Sequence, residues 1–298
     1  MISHLVVVRG GATLAMRDVT AVVPWWSFTK TVIASAALAL VRDNLLALDE
    51  PLSGGRFTLR QLLRHQAGLA DYGQLPAYQE AVARGDEPWS EPELLARADA
   101  NRLRYAPGQG WGYSNIGYLY ARRLIESATG EGLHAALRDL VFRPLGIDHA
   151  RVAYSRSDLA DVRMCRATNF NPQWVYHGLL VGPLCDAALF LDRLMTGHLL
   201  PRHLMEAMCE RHPLDDLTLG RPWVSPGYGL GLMVGTVQSG AVLSGHTGVG
   251  PGSTIAVYHV VGSQPSVTCA AFTAAEDPGP AEREAVLMAA QATAVANG

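Results

Sequence analysis

Lysine is almost missing from this chain. Of 24 lysine and arginine residues, Lys30 is the one lysine, so a position that could have been arginine carries an amine. No basic block or stripe accompanies the formal charge of −3, which excludes the electrostatic footprint of a nucleic-acid or anionic-membrane binder. No apolar run approaches the roughly 20 residues needed to span a bilayer. Cysteine is sparse: Cys165, Cys185, Cys209 and Cys269 form neither a CxxC pair nor a Cys/His cluster, and they read as buried free thiols. The ten histidines show no HExxH spacing, so neither a metal nor another cofactor is expected. His134, His149, His198, His203 and His212 read as surface or capping groups. The opening MISHLVVVRGG lacks a basic region or cleavage site, giving a cytoplasmic expectation, or a periplasmic one if a leader has been removed.

What remains is an ordinary globular composition, 49% hydrophobic and 17% charged, long enough for one large or two small cores. Residues 4–9 and 13–16 are β-prone runs around Gly10-Gly11, a hairpin signal. Residues 27–42, SFTKTVIASAALALVR, are apolar on most faces and predict a buried helix with Ser27 in its first turn. Residues 49–196 read as mainly helical, with Thr58, Ser90 and Ser114 as N-caps. After Pro226 the chain turns to Gly-punctuated β runs, and a helix is predicted over 281–296. Strands at both ends around a helical middle imply a sheet domain from residues 1–48 and 197–298, flanked by helices, with an inserted helical domain over 49–196. The cleft between them is the expected site.

Three short motifs carry chemistry. In Pro24-Trp25-Trp26-Ser27-Phe28-Thr29-Lys30, helical spacing brings Ser27 and Lys30 together. A serine becomes a nucleophile when a base takes its proton, and a lysine serves if burial lowers its pKa. Arginine, with a pKa above roughly 12, cannot. Ser-x-x-Lys alone is weak, since about one chance occurrence fits a chain of this length; the lone lysine gives it weight. In Gly112-Tyr113-Ser114-Asn115, just before a helix, Tyr113 can relay a proton and Asn115 can hold Lys30 or a substrate carbonyl. In His246-Thr247-Gly248, small residues on a strand edge admit a substrate backbone, and N–H groups can face an oxyanion.

In this order and spacing, the motifs resemble the serine β-lactamase and penicillin-binding-protein superfamily, in its class C β-lactamase, D,D-carboxypeptidase and esterase branch. The segments FTLRQLLRHQAGLADY, YAPGQGWGYSNIGYLYARRLIESATG, VFRPLGI and GHTGVGPGS extend the likeness over residues 25–298. The resemblance implies a β-lactamase/transpeptidase-like α/β (α+β) fold: an antiparallel sheet flanked by helices, plus an all-helical inserted domain. It also implies Ser27 as acylated nucleophile, Lys30 as its proton acceptor and Tyr113 as general acid/base. The oxyanion hole would use the backbone N–H groups of Ser27 and Val249, with Asn115, His246, Thr247 and Gly248 on the substrate side. His177, in a segment that borders this family's cleft, joins them as a substrate-side residue.

Two departures bear on function. His246 stands where class C β-lactamases carry lysine, so a weaker, pH-dependent positive charge is expected to face a substrate carboxylate. The family's N-terminal helix is missing before Ser27, which leaves one side of the sheet open or covered by a partner subunit. The reading is a serine hydrolase of small amides, D-amino-acid peptides or esters, acting alone or as a homo-oligomer on a small molecule. The alternatives are a β-lactamase or penicillin-binding D,D-carboxypeptidase, and a non-catalytic sensor of the same fold. The aromatics Tyr72, Trp89, Phe170, Trp174 and Tyr176, in loops over 71–89 and 169–182, either line the pocket or pack.

Overall fold

A computed structural model describes residues 2–52, 55–164, 169–215 and 220–294. The chain opens with the hairpin of β1 (Ile2–Arg9) and β2 (Ala12–Arg17). Its turn is Gly10-Gly11, both at positive φ, a conformation glycine adopts at no steric cost. A short β3 (Val22–Pro24) and a 3₁₀ turn, Trp26–Phe28, lead into α1 (Thr29–Arg42). Ser27 therefore lies in the turn that precedes the α-helix, one step outside its predicted place.

The middle holds α2 (Leu59–Leu63), α3 (Pro76–Arg84), α4 (Glu91–Arg97), α5 (Asn115–Thr129) and α6 (Leu133–Leu137). The three expected N-caps form: Thr58 accepts from the Gln61 N–H, Ser90 from Glu93 and Ser114 from Gly117. This middle is not all-helical. β4 (Arg151–Ala153) and β5 (Leu179–Pro183) join β3 in a small antiparallel sheet, order β3-β5-β4. β5 is a short apolar run buried on both faces, which periodicity cannot separate from helix. Then come α7 (Leu184–Met195) and α8 (Arg202–Cys209). The strands β6 (His212–Pro213), β7 (Trp223–Ser225), β8 (Gly227–Tyr228), β9 (Met233–Val237), β10 (Val242–Gly250), β11 (Ser253–Val260) and β12 (Val267–Thr273) follow, and α9 (Pro278–Ala294) ends the described chain.

The main antiparallel sheet runs β2-β1-β12-β11-β10-β9-β8-β6, with β7 beside β9. Alternation along its strands separates two apolar layers. Leu5 and Val7 of β1 join Ala281, Ala285 and Met288 of α9 on one face. Val6 and Val8 join the large core around α1 on the other. The expectation of an uncovered sheet face is thus corrected: α9 packs on β1, β11 and β12. α7, inside the span expected to form the helical domain, lies on β1, β11 and β12, and Asp192 on it accepts a hydrogen bond from Thr268 (3.0 Å). The boundary at residue 196 therefore falls behind a helix of the sheet layer.

α1 is buried on nearly every side from Thr29 to Leu40, the condition of a helix that is apolar all round. Cys269 is buried, Cys185 and Cys209 only partly so, and all three are free thiols; Cys165 lies outside the described residues. No helix among the described residues is long and apolar enough to cross a membrane.

Candidate active site

The turn carrying Ser27 is locked by its two tryptophans, in different ways. Trp25 is fully buried, packs on Phe28, Phe142 and Phe190, and donates its backbone N–H to Leu180 of β5 (2.8 Å). Trp26, at φ 41°, lays its ring where a Cβ on Gly250 would sit, 2.3 Å away. Its indole N–H bonds Ser253 Oγ (3.0 Å). β10 closes on the same turn: a Cβ on Gly248 would lie 2.6 Å from the Trp25 carbonyl oxygen and 2.8 Å from the Ser27 nitrogen. Only glycine at 248 and 250 lets strand and turn approach this closely.

Around Ser27 Oγ the polar groups converge. The Tyr113 hydroxyl donates to it at 2.9 Å, and Lys30 Nζ lies 3.1 Å away. The same amine reaches Asn115 Oδ1 (2.7 Å) and His177 Nε2 (3.2 Å). Asp71 sets the orientation of Asn115 by accepting both its backbone N–H and its side-chain N–H (2.9 and 2.8 Å), which turns the carbonyl end toward Lys30. The rings of Tyr113 and Tyr118 flank the amine at 5.0 and 5.6 Å.

Lys30 is wholly buried, and loss of hydration lowers its pKa to about 7, against the opposing pull of Asp71. Burial likewise holds the Tyr113 phenol above its ordinary value, a shift its bond to Ser27 reduces. His177 is pushed well below the usual histidine range by burial and by the amine beside it. At pH 7 Tyr113 and His177 are therefore neutral, and the Lys30 amine is divided about equally between its charged and neutral forms.

Two sequence expectations change here. His246 makes no pH-dependent charge for a carboxylate. Burial lowers it to about 3, and its ring is occupied: Nδ1–H donates to the Thr247 carbonyl (2.7 Å) and Nε2 accepts from the Tyr228 hydroxyl (2.9 Å). Thr247 does not line the substrate edge. Strand alternation points it the other way, where its hydroxyl donates to Glu282 of α9 beside Tyr258. Gly248 is covered by the Ser27 turn. The part of β10 that opens to a ligand is its end, Val249 and Gly250. They line a cavity of about 670 Å³ that also reaches Ser27, Asn115 and His177.

Of the loop aromatics, Tyr72 and Phe170 line this cavity, while Trp89, Trp174 and Tyr176 pack on one another. Residues that motif reading passed over also serve the site. His65, buried, accepts the Ser114 N–H on Nδ1 (3.1 Å), and its ring lies tilted against that of Tyr113 with centroids 4.3 Å apart. Asp71 holds Asn115. Both lie in the quoted segment HQAGLADY, whose regularity was the available signal. Among the described residues no group of histidine, cysteine and acidic side chains could hold a metal ion.

Comparison with known proteins gives this geometry its relatives. The family model described as Beta-lactamase matches residues 4–293. The chain belongs to the beta-lactamase family. Among solved structures of that fold, a D-stereospecific amidohydrolase from Streptomyces sp. superposes with a TM-score of 0.77. It is 25% identical, over 96% of this chain and 92% of that one. The lovastatin esterase of Penicillium rubens is 29% identical over 174 residues, 49% of this chain and 42% of that protein. Esterase EstB of Burkholderia gladioli is 33% identical over 141 residues, 41% of this chain and 36% of that protein. The chain thus spans well under half the length of these two curated beta-lactamase relatives. The family fold, an antiparallel sheet flanked by helices, is the one described above, and its named relatives are hydrolases.

Proposed function

We propose that this chain hydrolyses a small amide, D-amino-acid peptide or ester through an acyl-enzyme on Ser27. The observation that carries the reading is the placement of Ser27 Oγ between Lys30 Nζ and Tyr113 OH, at 3.1 and 2.9 Å. A neutral lysine amine has two N–H donors and one lone pair. Asn115 Oδ1 and His177 Nε2 take the two donors, so the lone pair is left for the serine proton.

The steps follow from that count. Ser27 Oγ attacks the carbonyl carbon as its proton passes to Lys30, and the oxyanion is met by the backbone N–H groups of Ser27 and Val249. The carbon–leaving-group bond breaks as Tyr113 supplies a proton to the departing nitrogen or oxygen, and Lys30 returns a proton to the phenolate. Water then adds to the ester, losing its proton to the same Tyr113–Lys30 pair, and Ser27 is released protonated. Gly248 holds β10 against the Ser27 turn, Asn115 and His177 hold the amine, and His246 braces β10 through Tyr228.

The amide branch of the reading is supported by the whole-length likeness to a D-stereospecific amidohydrolase, the ester branch by the two esterase relatives. A fluorophosphonate probe should leave one adduct, on Ser27, and Ser27→Ala should take none. A folded sample that stays unlabelled would sink the proposal. Lys30→Met, of similar length and uncharged in this wholly buried position, should keep the fold and lose acylation by at least about 10²-fold, the lower end of what a positioned base supplies; turnover at the original rate would remove Lys30 as the base. A homo-oligomer is also part of the reading, and size-exclusion chromatography with light scattering decides it.

A further inference from the structure

The charge distribution of the cavity selects among these substrates. Its described lining carries two charged side chains, Arg84 and Glu276. Arg84 is already paired, with Asp86 at 2.7 Å and Glu80 at 3.9 Å. Glu276 meets no cation among the described residues, yet it is held in place. Its Oε1 accepts the Gly252 N–H (2.7 Å), and the carbonyl of the preceding Ala275 accepts from Thr254 Oγ1 (2.7 Å). Both tethers run to the β10–β11 turn, which also fixes Trp26 through Ser253.

One carboxylate oxygen is thus anchored, and the other is free at an exposed mouth. Apolar and aromatic groups (Trp26, Tyr78, Phe170 and Val175) line the cavity beside it. Among the described lining residues the one cation, Arg84, is already paired, and a cationic ligand finds a placed carboxylate and π faces.

We propose that Glu276 is a specificity-determining residue that binds a positively charged group on the acyl part of the substrate, a free ammonium as in an unblocked amino-acid amide. The proposal rests on Ser27 being the acylated nucleophile. It excludes as good substrates the N-blocked and anionic acyl groups that the broader reading allows.

The test uses covalent labelling, which needs no knowledge of the natural leaving group. Ser27 is labelled with the diphenyl ester of 1-amino-2-phenylethylphosphonate, each enantiomer separately, and with its deamino counterpart, and the rates are compared by intact-mass spectrometry. In the wild type, one enantiomer of the amine-bearing probe should react faster than the deamino probe. Glu276→Gln, which keeps an acceptor for Gly252, should cut that ratio by roughly two- to fivefold, the upper part of the range for an exposed ion pair. Its rate with the deamino probe should be unchanged. A wild-type ratio at or below one, or a ratio the variant leaves intact, overturns the role of Glu276 while Ser27 still labels. Labelling by neither probe overturns the acyl-serine reading and this proposal with it.

Discussion

At the scale of single residues, the amine of Lys30 sets the pH behaviour. It must be neutral to accept the serine proton, and burial lowers its pKa to about 7. With a substrate that does not itself titrate, kcat/KM should therefore climb tenfold per pH unit below about 7 and level off above it. No basic limb from Tyr113 should appear below about pH 10, because that phenol is held above its ordinary value. An acid limb near 4 or 5 would exclude the lysine. The same burial affects stability. An unfolded lysine titrates near about 10.4, so between about pH 7 and 10 the unfolded chain binds more protons at this site than the folded one. Stability from Lys30 thus rises with pH across that window, and below about 7 the full cost of a buried cation remains. Urea titrations across this range should show the slope, and Lys30→Met should flatten it. Much of this was legible from one compositional fact, that the chain keeps a lysine where it otherwise uses arginine. The neutrality of His246 was not, because it comes from burial, and motif spacing does not reveal which strand residues the fold encloses.

At the scale of elements, β10 and the turn before α1 function as one unit. Gly248 and Gly250 are required by contact, since added methyl groups would enter the Trp25 carbonyl and the Trp26 ring. Gly248→Ala should cost about 1–3 kcal/mol through overpacking. Its kcat should fall as well, on the order of 10²-fold in the fraction that stays folded, because the Ser27 backbone must shift. Equal loss of labelling and of melting temperature in proportion to misfolding alone would contradict that coupling. Helix starts were readable because capping is local chemistry: Thr58, Ser90 and Ser114 each bond a backbone N–H three residues on. β4 and β5 were not, because a three-residue strand and a fully buried run carry no alternation. The direction of Thr247 follows from simple strand geometry once the register is known, and the register depends on partners far along the chain.

At the scale of the molecule, α9 ties the outer layer to the catalytic strand. Glu282 is fully buried, pairs with Arg221 through both oxygens, and accepts the Thr247 hydroxyl. Glu282→Gln leaves Arg221 without its counter-charge. The variant should lose about 3 kcal/mol and roughly 5 °C of melting temperature, read by calorimetry. An unchanged transition would show that Arg221 relaxes to solvent. The layer architecture was legible from strands at both ends of the chain around a helical middle. The packing of α7 on the sheet was not, because an apolar helix face does not name its neighbour.

Much of the cavity wall comes from α3, Phe170 and the β10–β11 turn, while the reacting groups come from the turn before α1, α1 itself and Tyr113 ahead of α5. Selectivity and reactivity are thereby entered on separate stretches of chain. Redesign of one is open at solvent-facing positions that tolerate exchange, whereas the other is embedded in a helix with almost no free surface. New substrates for this scaffold should come from substitutions at residues 82–84, 169 and 276, leaving the reaction itself untouched.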